Sequence, residues 1–319
     1  MTNKQVKLAA RPEGLPKASN WQIEEIELPT LAKAEGTDGR GDVLVKNIYI
    51  SLDPAMRGWM TESKSYIRPV EIGEVMRAGG AGKVVASENS KYKVGDYVVG
   101  TLGVQEYFHA KEGKGLTKVD TRLAPLSNWM NVLGMTGMTA YFGLLDVGAP
   151  KEGDVVVVSG GAGAVGSIVG QIAKIKGCKV VGIAGGSDKA AYMKDELGFD
   201  EVIDYKNEDF INLVTDIDLV IDLVGGETQV NSFKTLKKGG KLFSGTMPPS
   251  QDLAKEYKVE AKFISSSYSY KKLDYGRQLV EEGKIKPQII TTMKLEEAAQ
   301  AQDMVSKGGI NGKVVLEIN

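Results

Sequence analysis

The sequence predicts a two-domain α/β protein, and two features of the chain carry this prediction. Its 319 residues exceed the size of most single domains. Short strands punctuated by glycine fill the first part of the chain, whereas apolar strands separated by helix-length segments follow from Asp154 onward. The first pattern is typical of a compact β domain, and the second is typical of a doubly wound parallel sheet.

The N-terminal strands are β-branched and apolar runs bounded by turn-forming residues. They are expected at Val43–Ile50, Gly82–Ser87 and Gly95–Gly100. Their spacing indicates a mostly antiparallel sheet. We place this domain at residues 1–123, completed by residues 288–319. The returning segment contains a predicted helix, Leu295–Ser306, and a predicted strand, Lys313–Ile318.

The second domain, residues 124–287, begins its sheet with the uninterrupted β-branched run Val155–Val158. Such a run is expected for a parallel strand that is covered on both faces. A helical segment, Gly163–Lys176, separates it from the second strand, Lys179–Ala184. The later strands are predicted at Glu201–Asp204, Asp218–Asp222, Gly240–Ser244 and Lys262–Ser265. Strands that alternate with helices form βαβ units, so the sheet is expected to be parallel.

A glycine motif lies between the first of these strands and its helix. Gly161, Gly163 and Gly166 satisfy the spacing Gly-x-Gly-x-x-Gly. In a strand–turn–helix context the early glycines permit a tight turn, and the last glycine lets the helix approach the strand. The helix N-terminus then offers N–H groups and partial positive charge to a pyrophosphate, which predicts a Rossmann dinucleotide site. The predicted phosphate contacts are Gly163, Ala164, Val165 and Gly166. The alternative is a plain glycine-rich turn.

The end of the second strand indicates which dinucleotide binds. Sites for NAD carry Asp or Glu at this position, where the carboxylate accepts hydrogen bonds from the adenosine ribose. Here the segment Ala184–Lys189 begins with small, uncharged residues, which leaves space for a 2′-phosphate. Gly186 and Ser187 are expected to contact this phosphate, and Lys189 is expected to neutralise it. Asp188 opposes this interpretation unless it points into solvent, and the balance favours NADPH.

Composition excludes several classes of function. Forty Lys and Arg against 41 Asp and Glu give a net charge of −1, which does not favour nucleic acid or an anionic membrane. No run of about 18 apolar residues predicts a membrane span, and Met1 to Pro12 are too polar for a signal peptide. We therefore expect a cytoplasmic protein whose partners are small molecules.

The chain has one cysteine, Cys178, and one histidine, His109. A lone cysteine excludes an intramolecular disulfide and fits a reducing compartment. Zinc sites usually draw three or four ligands mainly from Cys and His, so no metal site is expected. We expect His109 to be a surface or strand-end histidine without a recognisable partner.

Several further blocks resemble a known family. They are Ser51–Arg57, Ile72–Met76, Gly103–Tyr107, Leu133–Tyr141, Val169–Lys174 and Ile203–Lys206. With the glycine turn they resemble the zinc-independent medium-chain dehydrogenases/reductases, in the prostaglandin reductase/leukotriene B4 dehydrogenase (alkenal double-bond reductase) branch. The resemblance covers essentially the whole chain. It implies a GroES-like β domain and a Rossmann domain with the nicotinamide in the cleft between them.

The resemblance also implies particular cofactor contacts. Lys189 and Tyr205 match positions that contact the 2′-phosphate, although Tyr205 by itself is equally a strand-end aromatic. Met135 and Thr139 match positions on the nicotinamide side. Asn311 matches a late cofactor contact.

The C-terminal third departs from this branch. Val224–Thr228 and Ser232–Gly240 resemble the quinone oxidoreductases instead. The segment Ser244–Ser250 lacks the tyrosine that the prostaglandin reductase branch carries near the nicotinamide ribose and the substrate. A mosaic of two branches, natural or constructed, would explain this. The cofactor contacts expected in this third are Val224, Ser244 and Gly245.

The expected reaction is NADPH-dependent reduction of the carbon–carbon double bond of an α,β-unsaturated ketone or aldehyde. Hydride addition at the β-carbon places negative charge on the carbonyl oxygen, which needs hydrogen-bond donors, and the α-carbon needs a proton. Ala55 stands where the related branch often has a tyrosine, so the donor must come from elsewhere. The candidate catalytic donors are Tyr49, Tyr66 and Tyr268, each of which could instead be a packing residue. Arg57 and Tyr66 are expected to contact substrate, with a surface ion pair as the alternative for Arg57.

Two other functions stay open at this point. The C-terminal third favours an NADPH:quinone oxidoreductase, whereas the missing tyrosine favours a weakly catalytic NADPH-binding protein with a structural or nucleic-acid-associated role. Alcohol dehydrogenation is disfavoured, because nothing in the chain replaces zinc in holding an alkoxide. We expect a homodimer that pairs through the edge strand near Lys262–Ser266.

Overall fold

A computed structural model describes the residue ranges 2–34, 39–62, 67–264, 278–280, 282–287 and 290–318. The strands, in chain order, are β1 (Thr2–Leu8), β2 (Trp21–Glu27), β3 (Val43–Leu52), β4 (Gly79–Ser87), β5 (Tyr97–Thr101), β6 (Tyr107–Ala110), β7 (Leu116–Val119), β8 (Val155–Ser159), β9 (Lys179–Ala184), β10 (Glu201–Asp204), β11 (Ile217–Asp222), β12 (Leu236–Ser244), β13 (Glu260–Phe263), β14 (Ile290–Met293) and β15 (Lys313–Glu317). The α-helices are α1 (Ala55–Trp59), α2 (Met135–Phe142), α3 (Gly166–Ile175), α4 (Ser187–Ala191), α5 (Phe210–Leu213), α6 (Gly226–Thr235), α7 (Gln251–Tyr257) and α8 (Ala298–Lys307). Within these ranges, none of the helices has both the length and the apolarity needed to cross a bilayer.

The chain divides into two compact units. The first unit contains Met1–Met130 and Ile290–Asn319, and the second contains Asn131–Ile289. The first unit is built on a sheet with the strand order β14-β15-β3-β4-β5-β7, and β6 also pairs with β3. All pairs are antiparallel except β14 with β15. The C-terminal strand β15 therefore lies beside β3, with Val314 opposite Leu52.

A buried ion pair joins these two neighbouring strands. Lys313, at the start of β15, donates from Nζ to Oδ1 of Asp53 at 2.8 Å, and the two side chains are 2% and 8% exposed. Asp53 directly follows β3, and the hydroxyl of Ser51 donates to its other carboxylate oxygen. The amide of Gln302 on α8 also approaches the Asp53 carbonyl oxygen, at 3.4 Å. The Asp-Pro-x-Met-Arg block is thereby tied to the C-terminal segment.

The second unit contains a parallel sheet with the order β10-β9-β8-β11-β12-β13. Numbered within the unit, this order is 3-2-1-4-5-6, which is the Rossmann arrangement. The predicted α/β fold is thereby confirmed. In such a sheet the carboxyl ends of the strands lie along one edge, and ligands bind outside that edge where the strand order reverses. Here the reversal lies between β8 and β11.

Several predicted boundaries in this unit are wrong by one to four residues, and the largest difference is at β12, which begins at Leu236 rather than at Gly240. The helix after β8 begins at Gly166 rather than at Gly163, because the Gly163 N–H donates to the Gly160 carbonyl oxygen at 2.9 Å and closes a turn first. The last strand of the sheet begins at Glu260 rather than at Lys262, and its predicted end, Ser265, lies outside the described residues. The predicted bounds of β9 and β10 are correct.

Candidate functional site

The glycine turn after β8 has the shape that the motif predicts. A Cβ atom on Gly166 would lie 2.3 Å from the carbonyl oxygen of Gly160 and 2.9 Å from the Cα of Gly161. Any side chain at Gly166 would therefore push the helix away from the turn. Gly160 has φ 64°, a left-handed conformation that glycine adopts without strain. The close approach at Gly166 was predicted from the motif, whereas Gly160 lies outside the Gly-x-Gly-x-x-Gly spacing.

The same turn leaves backbone amides available for a ligand. Within α3, Ser167 is the first residue whose N–H donates a hydrogen bond to the turn. Its acceptor is the Gly163 carbonyl oxygen, at 3.0 Å. No acceptor in the described part of the chain takes a hydrogen bond from the amides of Ala164, Val165 or Gly166. These amides stand at a helix N-terminus, where the helix dipole favours negative charge. The cradle fits a phosphate group.

The end of β9 is shaped by an acid at the end of the neighbouring strand. Asp204, the last residue of β10, accepts hydrogen bonds from the Gly186 N–H at 2.8 Å and the Lys206 N–H at 3.1 Å. Donation from Gly186 holds the pKa of Asp204 below its ordinary value. Gly186 has φ 105°, and α4 begins at the next residue, Ser187. The carboxylate thus fixes both segments that flank this strand end.

Two lysines and a tyrosine gather at this strand end. A Cβ atom on Gly185 would lie 2.9 Å from both the Tyr205 ring and the Cε of Lys206. Lys189 is half-buried, and its pKa is lowered by burial and by the positive charge of Lys206. Ser187 is exposed beside them. Lys206 was not predicted as a site residue, although it follows Tyr205 directly in the sequence.

Asp188 also lies here, and its side chain is exposed. No residue in the described ranges forms a hydrogen bond or an ion pair with the Asp188 carboxylate. The strand end therefore has two cations near the 2′-phosphate position expected from the sequence.

The ends of β11 and β12 meet at a buried acid that sequence reasoning did not assign to the site. Asp222, the last residue of β11, has no exposed surface. Its carboxylate accepts hydrogen bonds from the hydroxyls of Ser159 and Ser244, both at 2.9 Å. The signal in the sequence was a charged residue that ends an apolar strand run.

The predicted contacts at these strand ends differ in exposure. Val224 is 53% exposed, and Gly245 donates its N–H to the Asp222 carbonyl oxygen at 2.9 Å. Ser244 is fully buried, and its hydroxyl is engaged with Asp222. The structure therefore brings Val224 to the surface of the unit and gives the Ser244 side chain a partner inside it.

Met135 and Thr139 share one face of α2. They are four residues apart, and the Thr139 hydroxyl donates to the Met135 carbonyl oxygen at 2.8 Å. Met135 is 46% exposed. Gly137 lies between them on the opposite side, where a Cβ atom would be 1.7 Å from the Val132 carbonyl oxygen. The helix is therefore packed against the preceding segment and presents Met135 and Thr139 outward.

The predicted residues of the first unit have mixed surroundings. Tyr49 is half-buried on β3 and packs against a cluster that includes Val99 and Val315. Arg57 donates from Nε to the Gly14 carbonyl oxygen at 2.7 Å. Asn311 has a buried Oδ1 with no hydrogen-bond partner in the described chain, which leaves an acceptor available. Tyr66 and Tyr268 lie outside the described residues.

The lone histidine has a partner that sequence reasoning did not find. His109 Nε2 lies 2.6 Å from Oδ2 of Asp42, so the expectation of an unpartnered histidine is wrong. Burial raises the pKa of Asp42, but hydrogen bonds from the Glu112 N–H and from His109 outweigh it and hold that pKa below its ordinary value.

Cys178 is buried, and burial raises the pKa of its thiol. Over the described ranges, no three His, Cys, Asp or Glu side chains are arranged to hold a metal ion.

Two family profiles match the chain. One is described as the N-terminal domain of oxidoreductase and matches residues 4–119, and the other is described as zinc-binding dehydrogenase and matches residues 197–316. NADPH-dependent curcumin reductase of Escherichia coli (strain K12) is 36% identical to this chain, over 99% of it and 97% of the relative. Prostaglandin reductase 1 of Rattus norvegicus is 33% identical over 96% of each chain. The chain belongs to the zinc-independent medium-chain dehydrogenases/reductases.

A solved structure extends the match to three dimensions. CurA from Vibrio vulnificus, in complex with NADPH, is 34% identical to this medium-chain reductase and has a TM-score of 0.88 over 99% of each chain. Within the family, the relatives support the predicted prostaglandin and alkenal reductase branch. The alignment with curcumin reductase includes the C-terminal third, where the sequence also resembles quinone oxidoreductases. The zinc in the name of one profile has little to bind here, since the whole chain holds one cysteine and one histidine.

Proposed function

We propose that this protein is an NADPH-dependent reductase that adds hydride to the carbon–carbon double bond of α,β-unsaturated ketones and aldehydes. One observation carries the proposal. Two anion-accepting features stand at the ends of adjacent strands, the amides at Ala164–Gly166 after β8 and the lysine pair Lys189 and Lys206 after β9 and β10. A dinucleotide with a 2′-phosphate carries negative charge at both positions. The names of the curcumin and prostaglandin reductases supply the substrate class.

The residues fit NADPH better than NADH. The end of β9 has small residues, and the carboxylate of Asp204 on the neighbouring strand is already occupied: its Oδ1 accepts hydrogen bonds from the Gly186 and Lys206 N–H groups, and its Oδ2 accepts one from the side-chain amide of Asn207. A 2′-phosphate would relieve the repulsion between Lys189 and Lys206. Tyr205, whose ring lies beside Gly185, would cover one side of this phosphate.

The chemistry divides between the cofactor and the chain. Bound NADPH supplies a hydride from its nicotinamide ring. We propose that Met135 and Thr139 contact the nicotinamide half of the cofactor. Val224, Gly245 and Asn311 would complete the cofactor site. Ser244 would support it through its hydrogen bond to Asp222. The protein must also offer a hydrogen bond to the substrate carbonyl oxygen and a proton to the α-carbon.

Tyrosine hydroxyls are the proposed donors for that step. Tyr49, Tyr66 and Tyr268 stay the proposed catalytic residues, with Tyr66 and Arg57 toward the substrate. Tyr49 is packed on one side by an apolar cluster, which would hold its ring in place. Arg57 also donates a hydrogen bond to the Gly14 carbonyl oxygen, which would hold the N-terminal loop in place.

The experiment is a substrate comparison with the purified protein. NADPH consumption is followed with a cyclic enone, a linear alkenal and a benzoquinone, each in the presence and absence of a strong chelator. We expect turnover of the enone to the saturated ketone and of the alkenal to the saturated aldehyde, with no effect of the chelator. Turnover of the quinone alone would favour a quinone oxidoreductase. Tight NADPH binding without turnover of any of the three would favour a binding protein.

We also propose that the protein is a homodimer joined through β13. This strand ends the sheet order of the second unit, so one of its edges has no strand partner among the described residues. An edge of this kind can pair with the same edge of a second copy. Light scattering coupled to size-exclusion chromatography should give twice the monomer mass, and a monomer mass at micromolar concentration would contradict the proposal.

A further inference from the structure

The carboxylate of Asp222 organises the loops at one end of the parallel sheet. Besides the two serine hydroxyls, it accepts hydrogen bonds from the amide of Gln229 at 2.9 Å and from the backbone N–H groups of Val224 at 3.2 Å and Gly225 at 3.0 Å. All five partners donate and all are uncharged. Over the described residues, no lysine or arginine forms an ion pair with this acid.

The two serine hydroxyls extend the network to further backbone groups. Ser159 accepts a hydrogen bond from the Leu223 N–H at 2.9 Å. Ser244 accepts from the Thr246 N–H at 3.3 Å, with the Met247 N–H at 3.4 Å. One buried acid therefore ties down the segments that follow β8, β11 and β12.

These segments also contact one another. A Cβ atom on Gly160 would lie 3.4 Å from a methyl group of Val224, and one on Gly225 would lie 3.0 Å from the Thr246 hydroxyl. The loops therefore pack side by side along the carboxyl edge of the sheet. If one of them moved, its neighbours would lose contacts.

The network also decides which backbone groups the loop after β11 can offer to a ligand. The N–H groups of Leu223, Val224 and Gly225 all point inward to Ser159 and Asp222. The carbonyl oxygens of Leu223 and Val224 accept no hydrogen bond from the described chain. Backbone carbonyls need a partner, so this loop offers acceptors to a ligand that carries donors.

We propose that Asp222 is a positioning residue for the half of the NADPH site that lies beyond β8. This inference rests on the proposed function. Asp222 holds the loop after β11 with its carbonyl oxygens available and Val224 exposed, so that the loop binds hydrogen-bond donors of the cofactor. The lysine-lined 2′-phosphate position lies on the other side of β8, at the ends of β9 and β10. Asp222 should therefore matter for the complete dinucleotide and not for its adenosine bisphosphate part.

The test compares two probes by calorimetric titration, NADPH and adenosine 2′,5′-bisphosphate. In Asp222→Asn, one carboxylate oxygen becomes an NH₂ group that faces the donors of Gln229 and Ser244. We expect the dissociation constant for NADPH to rise about tenfold, since several charge-assisted hydrogen bonds are weakened. The constant for adenosine 2′,5′-bisphosphate should stay within about twofold of the wild-type value.

Two further variants keep the test decisive. Ser159→Ala removes one link and should raise the NADPH constant by about threefold without affecting the fragment, which covers the case in which Asp222→Asn does not fold. Val214→Ala removes buried apolar volume at the opposite end of β11, so it should lower the thermal midpoint and leave both constants unchanged.

The outcomes separate the two proposals. Equal weakening of both probes by Asp222→Asn would mean a general loss of structure and would overturn the inference, as would unchanged binding of both. If the wild-type protein binds the fragment but prefers NADH to NADPH, or binds no dinucleotide, the proposed function fails and takes this inference with it.

Discussion

Lys189 and Lys206 are the residue pair through which we propose that the protein selects its cofactor. Burial and the charge of Lys206 both lower the pKa of Lys189, so the two cations repel each other. An anion placed between them reverses this effect. We therefore expect a phosphate bound between the two lysines to stabilise this end of the sheet.

The first prediction concerns this pair. Lys189→Ala and Lys206→Ala should each raise the dissociation constant for NADPH about tenfold, because each removes a charge-assisted hydrogen bond worth about 1.5–3 kcal/mol, part of which solvent replaces. NADH lacks the 2′-phosphate, so its constant should change by less than about twofold. Calorimetric titration with both dinucleotides measures the difference.

Lys194→Ala is the matched control for this prediction. Lys194 is exposed on the helical segment that continues α4, and its removal changes the net charge equally. If Lys194→Ala weakened NADPH binding as much as Lys206→Ala, a general charge effect would replace the specific role. Equal loss of NADH and NADPH binding would have the same consequence.

Some residues of the candidate site follow from the sequence and others do not. Gly166 could be predicted, because local spacing alone requires a glycine where the helix meets the turn. Lys206 and Asp222 depend on which strands become neighbours, and strand order is not contained in local periodicity. The partner of His109 shows the same limit, since Asp42 lies 67 residues earlier in the chain.

At the scale of elements, the contact between β3 and β15 depends on a buried charge pair. Asp53 and Lys313 are separated by 260 residues, and both side chains are nearly inaccessible. Taking two charges out of water is costly, and the direct contact and added hydrogen bonds offset that cost. The hydroxyl of Ser51 supplies one of those hydrogen bonds.

The second prediction follows from the cost of burying one of these charges without the other. Lys313→Met leaves the Asp53 carboxylate buried without its cation, and it should lower the free energy of unfolding by about 3–5 kcal/mol. Urea denaturation followed by circular dichroism measures this change. Asp53→Asn with Lys313→Met should recover part of the loss, because the uncompensated charge is then removed.

An exposed pair provides the comparison. Lys307 contacts Asp303 at 2.7 Å one helical turn away on α8. Lys307→Met should cost less than about 0.5 kcal/mol, as is usual for pairs of this kind. Similar losses for Lys307→Met and Lys313→Met would show that burial does not strengthen the second pair.

Across the whole molecule, the sequence was sufficient for the class of fold but not for the arrangement of its parts. Apolar runs such as Val155–Val158 predict a covered parallel strand because no polar face is left for solvent. They do not say that β8 lies at the centre of its sheet. That position depends on the pairing of β8 with β9 on one side and β11 on the other. The return of the C-terminal segment to the first domain was expected from its predicted helix and strand, but the strand beside which β15 lies, β3, was not.

Acid sensitivity is a property of the whole molecule, because several acids in both units have lowered pKa values. Hydrogen bonds from Arg68 lower the pKa of Glu74, and a hydrogen bond from Lys4 lowers that of Glu296. Burial raises the pKa of Asp200, but the hydrogen bonds from Lys174 and from the Val180 N–H, together with the charges of Lys174 and Lys179, outweigh that effect. Asp42 behaves in the same way through Glu112 and His109. Each such carboxylate stabilises the folded state above its unfolded pKa, and the contribution is lost as pH falls through the lower folded pKa.

The third prediction is the resulting pH profile. The ordinary values are 3.8 for Asp and 4.5 for Glu, so the urea midpoint should be nearly constant from about pH 7 to pH 5 and should fall below about pH 5. Asp42→Asn should be less stable than the wild type at pH 7, and the difference should shrink as pH falls below the ordinary Asp value of 3.8 and through the lower folded pKa of Asp42, where the wild-type carboxylate also becomes protonated. Val84→Ala, a non-titrating change in the neighbouring core cluster, should keep a constant difference at every pH, since it removes apolar contacts only. A constant difference for Asp42→Asn as well would mean that its hydrogen bonds, and not its charge, stabilise this end of the sheet.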